Sequence, residues 1–195
     1  MASYLIVPGL NGSGEGHWQR HWLSDISNSY LVEQAIWSRP SEHDWLATLE
    51  EAIVAHPGSI IVAHSLGCVL TAGLANSPVA EHVAGALLVA PCDIDRTEKL
   101  HPDRLDFQAM PRERLPFASI VVASQNDPYM SFAAARSFAE AWGSGLVDLG
   151  DAGHINIASG YGRWTEGYAL ASGLERRGLA ASHTAVWTDR FEARA

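Results

Sequence analysis

Residues 60–67 read Ile60-Ile61-Val62-Ala63-His64-Ser65-Leu66-Gly67. An apolar, β-branched run stops at a small-x-Ser-x-Gly turn, and helix-forming residues follow. That order predicts a buried strand turning sharply into a helix, with Ser65 at the apex. A serine hydroxyl is a weak nucleophile. Such a turn lifts it clear of the sheet and aims the first amides of the helix at an incoming carbonyl. Only small residues fit beside the apex, which accounts for Ala63 and Gly67. The usual pattern has glycine at both places, so Ala63 departs from it by one methyl group.

Outward from this turn, short apolar runs alternate with segments of helical period. The runs are Tyr4 to Val7, part of Tyr30 to Ile36, Ser59 to Ala63, Val83 to Ala90, Ser119 to Ala123 and Leu146 to Leu149. They are continuous rather than alternating in polarity, as a sheet covered on both faces requires. The intervening helices have recognisable beginnings. Ser41-Glu42-His43-Asp44 is a capping pattern ahead of Trp45, Leu49 and Ile53, and Ser131 precedes a stripe of Phe132, Ala135, Phe138 and Trp142. A last helix is predicted from Arg163 to Arg177, with Trp164, Tyr168, Ala171 and Leu174 on its apolar side. The fold class is therefore α/β, a compact, doubly wound, mostly parallel sheet of about six strands flanked by helices.

At 195 residues the chain fits one domain spanning 1–195. Its tail, Leu179 to Ala195, is Ala-rich and gives no clear pattern. The formal charge is −9 with only 13 Lys plus Arg, which argues against nucleic-acid or anionic-membrane partners. The first apolar run is too short for a signal segment or a membrane span, and a cytoplasmic protein is expected. Cys68 and Cys92 have neither zinc-site nor redox-pair spacing, and Cys68 reads as a small apolar residue.

Two further residues complete a pattern with Ser65. In a Ser-acid-His order the partners follow the nucleophile, each at the carboxyl end of a later strand. Asp127 stands in Ser124-Gln125-Asn126-Asp127-Pro128 and His154 in Gly150-Asp151-Ala152-Gly153-His154-Ile155-Asn156, each directly after a predicted strand. His154 would take the Ser65 proton and return it to the leaving group, while Asp127 would fix the imidazole tautomer. Asp93 and Asp95 are rival acids, and Asp151 a weaker one because it is so near His154 in sequence.

The oxyanion hole needs two N–H donors. The Leu66 amide is one, and the loop Val7-Pro8-Gly9-Leu10-Asn11-Gly12-Ser13-Gly14 offers the Leu10 amide as the second, with Asn11 next. This Gly-rich loop lacks the lysine and the acid of nucleotide-binding loops. His17 and His21 have helical spacing but neither an adjacent glutamate nor a third ligand, so no metal and no cofactor is expected. Asn11 and His64 are candidates to touch substrate. The charged stretch from Pro91 to Pro116 shows no long period; its apolar residues, Phe107 and Met110 among them, are expected to wall the substrate site.

Pro8-Gly9-Leu10-Asn11-Gly12-Ser13, His17-Trp18-Gln19 with Trp22, His64-Ser65-Leu66-Gly67, Asn126-Asp127-Pro128-Tyr129 and Gly153-His154-Ile155-Asn156 occur in that order. On these motifs the chain resembles the family of small serine hydrolases that includes YdeN-like esterases and retinoblastoma-binding protein 9, from about residue 4 to residue 175. The resemblance implies a compact α/β-hydrolase with Ser65, Asp127 and His154 as its triad. The pocket-protein partner associated with one member is not carried over, since the chain contains no Leu-x-Cys-x-Glu sequence. Together these readings predict a serine hydrolase acting on small carboxylic esters through an acyl-enzyme, with amides and thioesters as further substrates of the same chemistry. The alternative is a protein-interaction module, catalytically weak or silent, on a hydrolase scaffold, its protein partners unspecified.

Overall fold

The structure of the protein is a computed structural model that describes residues 3–178. Its strands are β1 (Tyr4–Val7), β2 (Ser29–Leu31), β3 (Ser59–His64), β4 (Val83–Val89), β5 (Ser119–Ala123) and β6 (Gly145–Asp148). They form one sheet in the order β2-β1-β3-β4-β5-β6, and every neighbouring pair is parallel. The helices are α1 (Trp18–Asp25), α2 (Glu42–Ala55), α3 (Leu66–Ala72), α4 (Ile94–Leu100), α5 (Phe132–Trp142) and α6 (Thr165–Gly178).

The continuous apolar strands serve two cores at once, because successive side chains point to opposite faces. Leu5, Val7, Ile61, Ala63, Val121 and Ala123 face the core built with α2, α3 and α5. Tyr4, Ile6, Ile60, Val62, Ile120 and Val122 face the other, which holds Trp18 and Trp22 of α1 and Ala171 and Leu174 of α6. Ala63 is fully buried in the first core, so the extra methyl of the elbow is absorbed by packing.

The helix starts follow their sequence signals. The side chains of Ser41 and Ser131 accept hydrogen bonds from the amides of Asp44 and Ala134, satisfying donors that the first turn leaves open. Two elements differ from expectation. Within Tyr30 to Ile36 the strand is confined to the edge and pairs over three residues, Ser29–Leu31. The charged stretch after Pro91 contains a short helix, α4, whose N-cap is Asp93, its carboxylate accepting from the Arg96 amide at 2.8 Å. Seven residues are too few for a helical period to show against so many charges. The expectations for Leu179 to Ala195 lie outside the described residues.

The sheet order brings the site together. From β1 the chain moves to one edge and from β3 to the other, so the crevice between β1 and β3 is the topological switch point, where loops at strand carboxyl ends diverge and leave space. The Gly-rich loop follows β1, and Ser65 follows β3.

Candidate active site

Ser65 has φ 56° and ψ −121°, a left-handed conformation that costs a non-glycine residue energy. The turn survives because its neighbours close tightly on it. A Cβ on Gly67 would lie 2.3 Å from the Val7 carbonyl oxygen and 2.7 Å from that of Pro8, and one on Gly9 would lie 2.9 Å from the Leu66 nitrogen. Both glycines are thus required by close approach of the β1 loop to the elbow.

Ser65, His154 and Asp127 form a continuous hydrogen-bonded chain. The Ser65 Oγ lies 2.9 Å from His154 Nε2, and His154 Nδ1 lies 2.8 Å from Asp127 Oδ2 and 3.0 Å from Oδ1. A carboxylate only accepts, so the imidazole carries its proton on Nδ1 and turns the Nε2 lone pair toward the hydroxyl. Asp127 is itself held by the Tyr129 amide, which donates to Oδ1 at 2.8 Å, and the Tyr129 ring lies 4.2 Å from that of His154. All three residues of the chain are buried. The rival carboxylates are otherwise engaged: Asp93 caps α4, and Asp95 and Asp151 are exposed.

A cleft of about 150 Å³ opens over Ser65. It is lined by Gly9, Leu10, Asn11 and Gly12 of the β1 loop, by His17, by the elbow residues His64 and Ser65, by Thr97, His101 and Tyr129, and by His154 and Asn156. Asn11 and His64 thus lie on the wall of the cleft. In the β1 loop the Asn11 amide donates to the Trp37 carbonyl and the Gly12 amide to that of Gly9, both at 2.9 Å. Among the described residues the Leu10 and Leu66 amides have no acceptor within the protein.

The expectation for Phe107 and Met110 is corrected. Neither lines the cleft; both pack against the core that contains Trp45, with the Phe107 ring edge-on to Trp45 at 6.4 Å. The cause is a backbone tie. The Asp106 amide donates to Pro40 and the Glu42 amide to Asp106, drawing this part of the stretch onto the start of α2. The 91–116 segment still reaches the cleft, through Thr97 and His101.

Sequence reasoning missed Gln19. It is fully buried on α1, its Nε2 donating to the Val7 and Val62 carbonyls at 3.2 and 2.9 Å and its Oε1 accepting from Ser13 Oγ at 2.5 Å. One side chain thereby ties β1, β3 and the β1 loop together. The available signal was its position three residues before Trp22, which puts a polar group on the buried face of α1. His21, one candidate of the pair with His17, has no such role; His17 is the N-cap of α1, its Nδ1 accepting from the Gln19 amide.

Two buried thiols and two buried imidazoles near Ser65 are held neutral. Burial pushes the Cys92 thiol up to about 11 and the Cys68 thiol well above its ordinary range, so neither competes as a nucleophile. Burial, reinforced by the neighbouring His154 and Arg20, lowers His17 to about 4. His64 lies well below the usual imidazole range for the same first cause, then through His154 and His17. Both groups bind protons more readily in the unfolded chain, so stability should fall as pH drops from about 6.5 toward 4. For His17 alone the loss is on the order of 3 kcal/mol, from about 1.4 kcal/mol per unit of pKa. His17→Asn keeps an N-cap acceptor but no longer titrates, and should flatten the fall in melting temperature across that window. An unchanged slope would assign the acid sensitivity elsewhere.

A parallel sheet of this order, with an elbow serine hydrogen-bonded to a histidine and an aspartate from later loops, defines an α/β hydrolase. The chain belongs to the serine hydrolase family, whose model matches residues 4–172. It is similar to a YdeN-like hydrolase of Pectobacterium atrosepticum, with 32% identity, 93% of this chain and 91% of that one covered, and a TM-score of 0.74. The YdeN gene product of Bacillus subtilis shares the fold at 20% identity, with 89% and 98% coverage and a TM-score of 0.68. So does esterase 2 of Thermogutta terrifontis, at 18% identity, with 88% and 82% coverage and a TM-score of 0.66. No curated protein matches the chain. Among the described residues no helix is long and apolar enough to cross a membrane.

Proposed function

We propose that this serine hydrolase cleaves small carboxylic esters through an acyl-enzyme on Ser65, with His154 as general base and then acid and Asp127 as its orienting carboxylate. The observation that carries the reading is the hydrogen-bonded chain Ser65–His154–Asp127 opening onto a cleft. As Ser65 Oγ attacks the carbonyl carbon, its proton passes to His154 Nε2, and the developing oxyanion is received by the Leu66 and Leu10 amides. The bound acceptor of the Asn11 amide supports Leu10 as the second donor. His154 then returns the proton to the leaving alcohol, and water, activated by the same imidazole, releases the acid and restores Ser65. Amides and thioesters would follow the same route. No metal or cofactor takes part in these steps, and the two buried thiols suit a reducing cytosol.

The cleft favours short acyl groups. At about 150 Å³ it is half the size of the smallest usual ligand pockets, roughly 300 Å³, and histidines, Thr97, Asn11 and the Tyr129 hydroxyl make much of its wall polar. Across p-nitrophenyl acetate, butyrate and octanoate, kcat/KM should fall at least about tenfold from butyrate to octanoate, since even one misplaced methylene costs roughly 1 to 3 kcal/mol of discrimination. Rates that hold or rise with chain length would sink the short-acyl assignment. A fluorophosphonate probe tests the chemistry without a guess at substrate: labelling of the native enzyme supports an activated serine, and failure to label would leave the interaction-module alternative.

A further inference from the structure

The loop that carries His154 is held in a strained shape. Ile155, directly after the imidazole, is a fully buried β-branched residue at φ 47°, a left-handed conformation that such residues avoid. Strain of this kind persists only where the surroundings over-determine it. Here the two consecutive carbonyls on either side of the strained φ each accept one buried side-chain donor. His64 Nε2 lies 2.9 Å from the His154 carbonyl oxygen, and Trp18 Nε1 lies 2.8 Å from that of Ile155. A carbonyl only accepts, so His64 carries its proton on Nε2 and acts purely as a donor there.

Both donors are fixed by their own packing. Their rings meet nearly perpendicular at 5.8 Å, His17 lies 4.9 Å from His64, and Trp164 lies 5.6 Å from Trp18. Their origins differ: His64 ends the strand that carries Ser65, and Trp18 opens α1. The amides of the same loop are held from the opposite partner, Gly153 donating to Asn126 Oδ1 at 2.6 Å and Ala152 to Ser124 Oγ at 3.0 Å, next to Asp127. The loop of the base is thus tied by the Ala152 and Gly153 amides to the acid's loop, by the His154 carbonyl to the end of the nucleophile's strand and by the Ile155 carbonyl to α1.

We propose that His64 and Trp18 form a two-point clamp that holds the Ile155 backbone in its strained conformation and so sets the His154 imidazole against Ser65. They are positioning residues. The proposal rests on His154 being the base, so His154→Ala is measured alongside. Misplacing a reacting group by about 1 Å can cost roughly 100-fold in rate. His64→Phe and Trp18→Phe keep the rings but remove the donors, and each should lower kcat by about 10- to 100-fold with KM within about twofold. His64→Gln, which restores an N–H donor at similar reach, should recover activity to within about threefold of the native enzyme. In an Ile155→Gly background, where a positive φ carries no penalty, the loss from His64→Phe should shrink to about threefold or less. Native-like kcat in both phenylalanine variants, with His154→Ala inactive, would overturn the clamp while leaving the base in place. Equal losses in His64→Gln and His64→Phe would also overturn it, since the donor would not matter. Activity retained in His154→Ala would overturn the base assignment and the clamp with it.

Discussion

Replacing Ser65 by Ala should abolish labelling by a fluorophosphonate and lower ester turnover by roughly 10⁴- to 10⁶-fold. The substitution removes the attacking oxygen and, with it, the hydrogen bond that this hydroxyl shares with the buried Cys92 thiol. The Ser65 side chain makes no capping bond to α3, and its one side-chain partner in the catalytic chain is the His154 imidazole. A β-carbon is already accommodated at φ 56° at this position, so alanine fits the elbow without new strain. The melting temperature should therefore stay within a degree or two of the native value, as expected when less than about 0.5 kcal/mol is at stake. What activity remains would come from binding and from the Leu10 and Leu66 amides proposed to receive the oxyanion. Labelling at full stoichiometry in this variant would place the nucleophile elsewhere. Lost labelling together with a collapse in melting temperature would show a folding defect, and Ser65→Cys, which keeps a nucleophile of similar shape, would then decide the matter.

The layering of the protein and the meeting of Ser65, Asp127 and His154 were legible in the sequence for a shared reason: both depend on runs of residues that are close in the chain. β1 and β5 appear with the bounds read from their apolar runs, and β3 and β4 within one residue, because a strand buried on both faces admits almost no polar residue. Asp127 and His154 could be picked out because each lies in the loop after an apolar run, fully buried in β5 and partly exposed in the edge strand β6, and parallel topology sends those ends to one crevice. What stayed hidden depends on contacts between distant segments. The destination of Phe107 and Met110 is set by hydrogen bonds between Asp106 and residues 40 and 42, which no local pattern announces. α4 is concealed by its brevity and charge. The roles of Gln19, Trp18 and His64 arise where α1 crosses the ends of β1 and β3, a crossing whose register appears only in three dimensions. Such residues read locally as ordinary helix or strand positions, yet they fix the loop and the base on which catalysis would depend.

Replacing Asp127 by Asn should lower kcat by about 10³- to 10⁴-fold while leaving the fold intact. The exchange is nearly isosteric, and the remaining carbonyl oxygen can still accept from the Tyr129 amide, which donates to Oδ1 in the native protein. The change falls on the other atom. An amide nitrogen facing His154 Nδ1 is a donor, so the imidazole must accept there and carry its proton on Nε2 instead. That proton then points at Ser65 Oγ, 2.9 Å away, where a lone pair is needed. The site keeps its shape and loses its base. The same exchange at the rival acids should do almost nothing: Asn caps a helix as well as Asp does, so Asp93→Asn preserves the start of α4, and Asp95 and Asp151 are exposed. Steady-state kinetics on p-nitrophenyl acetate for the four variants, with melting temperatures beside them, give a ranking that depends on the tautomer and not on charge alone. A large loss at Asp93 with Asp127→Asn near native would place the orienting carboxylate after β4 and require His154 to turn away from the partner it now faces.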